Sequence, residues 1–143
     1  MKIRRDFVTN SSSSSYVISY SSIPEFDSET ISKYPCVKIL EPLIKALVEC
    51  ESDYDTDAGE WVTNIDELNN YLLSEYSWSK CNTIEDLIKD EEISEEYYTT
   101  CIKELDSGHS LIFKDIGYSD EALVQMYKML DQADAGIKIL FGD

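Results

Sequence analysis

The chain has 143 residues, 43% of them apolar, and a formal charge of −17 at neutral pH. That length suits a single domain with a core of its own, and the apolar share excludes wholesale disorder. The charge excludes an ordinary binder of nucleic acid or of an anionic membrane; it suits a basic protein partner, a cation or plain solubility.

In chain order, Ile3, Phe7 and Val8, then Tyr16, Val17, Ile18 and Tyr20, are β-formers on either side of a serine tract. Thr9-Asn10 is a turn signal, and serine hydroxyls compete for backbone hydrogen bonds, so Thr9 to Ser15 reads as an exposed loop or arm. Phe7, Val17 and Ile18 are expected in the core. No glycine precedes Gly59, which argues against a phosphate-cradling loop here. Residues 21–35, with breakers at Pro24 and Pro35, read as a loop with one helical turn at most. Cys36 to Leu40 is either a short strand or the lead-in to a helix. Pro42 fits a first helical turn, and Leu43, Ile44, Leu47 and Val48 give that helix an apolar face.

Glu51 to Glu60 is an acidic loop. Asn64 with Glu67 is a capping-box variant opening a helix over Ile65 to Tyr76. Thr83 with Asp86 opens a short helix to about Asp90. Ser94 opens another, with Tyr97, Tyr98, Cys101, Ile102 and Leu105 on one face and Gly108 as its stop. Ser110 to Phe113 is strand-like and Gly117-Tyr118 turns the chain. Ser119 can cap a helix with Asp120 and Glu121 in its first turn, buried along Ala122, Leu123, Met126, Tyr127 and Leu130. Gly136 ends it, and Ile137 to Phe141 is a closing strand. Strand, helix, strand fits a right-handed βαβ crossover with parallel strands, joined by Val17 to Tyr20. The expectation is one α+β domain: a small mixed β-sheet, formed by the N-terminal strand and the C-terminal βαβ unit, covered by several acidic helices packed mainly on one face.

No apolar run approaches the roughly 20 residues of a membrane span. No apolar stretch follows the basic Met1 to Arg5, so no secretory signal is read and a cytoplasmic protein is expected. Cys36, Cys50, Cys81 and Cys101 are far apart, and the chain has 1 histidine. Four free thiols, mostly packed as small apolar groups, are expected rather than a zinc site.

The charge is uneven. Residues 51–106 hold 17 acids against 3 lysines, a net of −14, while residues 1–50 balance and residues 107–143 carry −3. Alternate aspartates at Asp53, Asp55 and Asp57 resemble the start of a calcium loop, but Ala58 stands where the turn glycine belongs and Asn64 where the closing glutamate belongs. A weak Ca2+ site is one reading and a solvated acidic loop the other; no other cofactor is expected. His109 follows a turn, and no nucleophile, nucleotide loop or dinucleotide fingerprint is recognisable, so no enzyme activity is expected. A further reading is charge as shape. Carboxylates interleaved with Tyr71, Tyr76, Trp78, Tyr97 and Tyr98 could imitate nucleic-acid phosphates and engage a basic groove. Asp90, Glu91, Glu92, Glu95, Glu96, Tyr97 and Trp78 are the candidate contacts. The partner would be a basic or nucleic-acid-binding protein, with no direct contact to nucleic acid or membrane. A general adaptor using an apolar patch is the alternative.

Lys2-Ile3-Arg4-Arg5-Asp6-Phe7-Val8-Thr9-Asn10, followed by Ser11, Ser12, Ser13, Ser14, Ser15 and Tyr16, resembles an N-terminal signature of small proteins from low-GC Gram-positive bacteria and their phages and plasmids. That signature reads roughly K-I-R-x-D-F-V-T-N-S-S-S-S-S-F; Tyr16 stands for the usual phenylalanine. Ile116 to Asp143 also resembles that family. The resemblance implies a bacterial or mobile-element origin and transfers no catalytic residue.

Overall fold

A computed structural model describes residues 13–21, 27–51 and 56–142. Arg4, Asp6, Phe7, Thr9, Asn10, Ser11 and Ser12 of the signature, and Asp53 and Asp55 of the acidic loop, lie outside the described residues.

The strands are β1 (Ser13–Tyr20), β2 (Glu60–Val62), β3 (Ser110–Gly117) and β4 (Ile137–Phe141), in the order β2-β3-β1-β4. The α+β class is as expected, but every neighbouring pair is antiparallel, so the sheet is not mixed. β3 and β4 do run in the same direction, as a strand–helix–strand crossover requires; β1 is inserted between them and pairs with both. The helices are α1 (Ser28–Lys33), α2 (Leu40–Val48), α3 (Ile65–Glu75), α4 (Ile84–Lys89), α5 (Glu95–Asp106) and α6 (Glu121–Gln132).

The serine tract is corrected in part. Ser13, Ser14 and Ser15 belong to β1 rather than to a loop, because β3 continues through Lys114 to Gly117 and supplies their partners: Ser13 opposite Gly117, Ser14 opposite Ile116, Ser15 opposite Asp115. Ser15 Oγ adds a 2.6 Å hydrogen bond to Asp115 Oδ1. Cross-strand pairing over this distance in sequence outweighs the local turn preference of serine. Residues 28–33 are helical because Asp27 caps them: its Oδ1 accepts from Thr30 N at 2.7 Å. Cys36 to Leu40 is a helix lead-in, a 3-10 turn over Pro35–Ile39 running into α2.

Helices cover both faces of the sheet, not mainly one. Side chains alternate along a strand. Val17, Leu111 and Phe113 therefore face α3, α4 and α5, which contribute Leu68, Leu72, Tyr76, Leu87, Tyr97, Cys101 and Leu105 to one buried cluster. Tyr16, Ile18, Ile112 and Ile116 face the other way, onto Ile44 and Val48 of α2 and Leu123, Tyr127 and Leu130 of α6. Each fully buried aliphatic or aromatic chain contributes about 1.5–3 kcal/mol. The stripe of α6 is narrower than expected: Ala122 and Met126 are exposed. Ser119 is not its cap, since a 3-10 turn over Tyr118–Asp120 precedes the helix. Tyr127 also donates its hydroxyl to Leu47 O at 2.6 Å, tying α6 to α2.

β4 is an edge strand with two guards. Its register with β1 shifts at Val17/Ile18, and the outward amide of Ile139 donates to Asp131 Oδ2 at 2.9 Å. Both hinder pairing with another chain. At the end of β4, Gly142 lies against the buried Tyr16 ring; a Cβ built on it would come within 2.2 Å of Tyr16 Cδ1. Gly142→Ala should therefore cost about 1–3 kcal/mol, the usual range for an overpacked core. A urea midpoint equal to that of the parent would show that the ring yields freely.

Candidate functional site: an acidic helical face

The acidic middle of the chain becomes a layer of three helices, each opened by the same device. Asn64 Oδ1 accepts from Glu67 N at 2.9 Å, Thr83 Oγ1 from Asp86 N at 3.2 Å, and Ser94 Oγ from Tyr97 N at 3.0 Å. The capping box at α3 closes one residue early: Glu67 Oε2 accepts from Thr63 N at 2.7 Å and from Thr63 Oγ1 at 2.9 Å. The Thr63 amide, then its hydroxyl, hold the Glu67 carboxyl below its ordinary pKa. Six acids, Asp66, Glu67, Glu85, Asp86, Glu95 and Glu96, stand in these first turns, where the helix dipole favours them. Much of the negative charge thus has a local structural cause.

The partner-binding candidates divide. Asp90, Glu91, Glu95 and Glu96 are exposed, and Glu92 is half-buried. Glu91 sits at φ 59°, the left-handed position that closes α4, where its amide donates to Ile88 O at 3.1 Å and that of Glu92 to Leu87 O at 2.9 Å. Glycine or asparagine is the usual occupant of such a position. Asp90 is steadied by Cys81, whose Sγ lies 3.4 Å from Asp90 Oδ2. Trp78, on a 3-10 turn after α3, is 56% exposed. Tyr97 is a correction: it is 8% exposed and its ring lies 4.8 Å from that of Phe141, so it belongs to the core and not to a binding surface. The other tyrosines of this layer also serve the fold. Tyr76 is buried, Tyr71 lies on Phe113 at 4.3 Å, and Tyr98 donates to Asn69 Oδ1 at 2.7 Å.

No protein-family model, curated protein or solved structure matches this chain.

At the start of β2 a groove of about 290 Å³ is lined by the acids Asp57, Glu60, Glu75 and Asp115, with Tyr71 and Phe113 on its wall. Burial, and then the neighbouring Asp115 charge, push the Asp57 carboxyl up, against the pull of amide hydrogen bonds. Of the three aspartates in the calcium-like pattern, Asp57 alone is described, and its Oδ1 accepts from Gly59 N at 3.0 Å and Asp115 N at 3.2 Å. It is engaged in shaping the turn. No group of three His, Cys, Asp or Glu side chains among the described residues could hold a metal ion. Nor is any described helix long and apolar enough to cross a membrane.

The fold also brings together a trio that sequence spacing could not reveal. His109 Nδ1 lies 3.1 Å from Glu104 Oε2 and 3.4 Å from Ser19 Oγ. Serine and carboxylate meet the same ring nitrogen. A relay needs them on opposite nitrogens, with one taking the serine proton while the other is held by the acid. Exchanging the ring orientation would remove both contacts from Nδ1 without creating that arrangement. The trio pins the start of β3 to β1 and α5.

Proposed function

We propose that this chain is a non-enzymatic acidic protein of a bacterium or its mobile elements. It binds a basic, nucleic-acid-binding protein by presenting carboxylates where that partner expects phosphates. The observation that carries this reading is the turn between α4 and α5. There Asp90 and Glu91 are exposed, Glu95 and Glu96 follow at once, and a glutamate holds a left-handed position that glycine fills at lower cost. Trp78 supplies an exposed aromatic anchor.

The test is competition for a basic DNA-binding protein carrying a labelled duplex. The parent chain should displace the duplex, and displacement should fade steeply with salt, because exposed charges are screened beyond about 8–10 Å at physiological ionic strength. Combining Asp90→Lys, Glu91→Lys and Glu96→Lys should slow association about tenfold or more. Trp78→Ala should mainly speed dissociation. Binding indifferent to salt and to these reversals would defeat the reading. A specific observation favours the adaptor alternative in that event. On the opposite side of the sheet α6 exposes Met126 and Met129, the latter 66% accessible, and methionine-rich faces adapt to partners.

A further inference from the structure

Exposed apolar surface and negative charge lie on opposite sides of this sheet. Among the described residues, six of the nine exposed large apolar side chains belong to α2, α6 or the turns leading into them: Tyr34, Ile39, Leu43, Tyr118, Met126 and Met129. This layer covers the sheet face of Ile18, away from the acidic helices. Residues 51–106 carry −14, whereas residues 27–50 hold 4 acids against 3 lysines, net −1, and residues 118–135 hold 4 acids against 1 lysine, net −3. Along α6 an outward stripe runs through Ala122, Gln125, Met126, Met129 and Gln132, all exposed. Glu121 and Lys128 flank it on one side, about two helical turns apart. Both are exposed, and neither side chain has an ion-pair partner among the described residues.

We infer that α6 is a self-association face, on which a second copy of the chain packs its own α6 antiparallel about a two-fold axis. In such a dimer one patch meets itself, so the patch must be its own complement. An axis crossing α6 near Gln125 brings Glu121 of each copy beside Lys128 of the other, on the same flank and twice per dimer. It also sets Ala122 opposite Met129, a small side chain against a long flexible one. Gln125 meets its own copy at the axis, and an amide both donates and accepts. Charge selects this occupant over others. An anionic membrane or a nucleic acid is repelled by −17, and a basic partner finds its carboxylates on the other side of the sheet. A second copy leaves both acidic layers outermost. Each then lies roughly 20 Å of helix and sheet from the contact, beyond the screening length of about 8–10 Å. One helix pair with its neighbouring apolar residues is a small interface, so association is weak and emerges at high concentration. The inference does not rest on the reading of the acidic face, which stays free in both copies.

Sedimentation under reducing conditions, from about 10 μM to about 1 mM protein, is the test. The mass should rise with concentration from 16.4 kDa towards twice that value. Met129→Glu should weaken association about tenfold or more and leave the urea midpoint unchanged, because that side chain is exposed. Lys128→Glu alone, or Glu121→Lys alone, opposes like charges twice in the dimer and should weaken it about tenfold. Net charge cannot account for both results, since Glu121→Lys reduces the repulsion between chains. An equimolar mixture of these two variants pairs opposite charges throughout, and it should dimerise at a concentration where neither variant does alone. Met129→Glu keeps the test open if Glu121→Lys, at the start of the helix, folds poorly. A mass of 16.4 kDa at every concentration would overturn the inference and leave the face to an unlike partner. Association indifferent to Met129→Glu, or a mixture that stays monomeric while both variants remain folded, would overturn it equally.

Discussion

Replacing Lys114 with methionine should cost the fold about 3–5 kcal/mol. Lys114 lies in the middle of β3, is 2% exposed, and points into the face shared with α2 and α6. Its ammonium donates to three backbone carbonyls: Val48 O at 3.1 Å, Asp57 O at 2.6 Å, and Cys50 O. Val48 and Cys50 lie at the exit of α2, where carbonyls lack intrahelical partners. Asp57 anchors the far end of the acidic loop. One cation therefore satisfies a helix terminus and fastens a loop to the sheet. Methionine keeps the length and apolar stem but strands three acceptors, each costing about 1–3 kcal/mol where water cannot reach. Arginine should not substitute, because its flat fork cannot converge on three carbonyls as one nitrogen does. Urea titration of Lys114→Met measures the loss. A change under about 1 kcal/mol would mean that water replaces the ammonium freely.

The protein should lose stability steeply above pH 9. Cys101 is fully buried, and burial, followed by the nearby Glu104 charge, pushes its thiol from 9.0 to about 12. Below pH 9 the thiol is protonated in both states and its contribution is complete. Between 9 and about 12 the unfolded chain releases the proton while the folded chain keeps it. The folded state then loses about 1.4 kcal/mol per pH unit, about 4 kcal/mol across the window. Tyr127, pushed up from 10.0 chiefly by burial, acts with the same sign above pH 10. Lys114 acts against them. Burial lowers its pKa from 10.5, so raising the pH towards that value relieves the burial of charge. Comparing urea midpoints at about pH 8 and about pH 11 should show the fall, and Cys101→Ala should flatten it. The slope is the readout, which separates linkage from the cavity that alanine leaves. An unchanged slope in Cys101→Ala would refute the assignment.

What could be read from the sequence was local. Asn64, Thr83 and Ser94 announce α3, α4 and α5, because a cap is made between a side chain and an amide three residues away. The spacing of Tyr97, Cys101 and Leu105 already turns Tyr97 inward, and that periodicity argues against its use as an anchor. What could not be read was made by distant chain. The serines of β1 become strand only because Asp115, Ile116 and Gly117 lie opposite them. β3 looks as if it should stop at Phe113, since Lys114 and Asp115 read as surface; the carbonyls that receive Lys114 come from elsewhere in the chain. β2 is too short, at 3 residues, to leave a pattern. The Ser19–His109–Glu104 trio depends on how β1, β3 and α5 meet.

The inserted position of β1 has a consequence for how the chain folds. Ser15 and its partner Asp115 are 100 residues apart, and β4 lies further still. The earliest strand must therefore wait for the latest ones, while α3, α4 and α5 can form between them from short-range contacts. Such a topology folds slowly, because distant loop closure precedes the gain from pairing. A waiting strand is also a hazard to its neighbours, since its unpaired backbone can be captured by another chain. Serine at positions 13, 14, 15 and 19 makes half of β1 polar. A strand so composed is less sticky than valine and isoleucine throughout would be. The serine tract can then be understood as protection during the interval before β3 arrives.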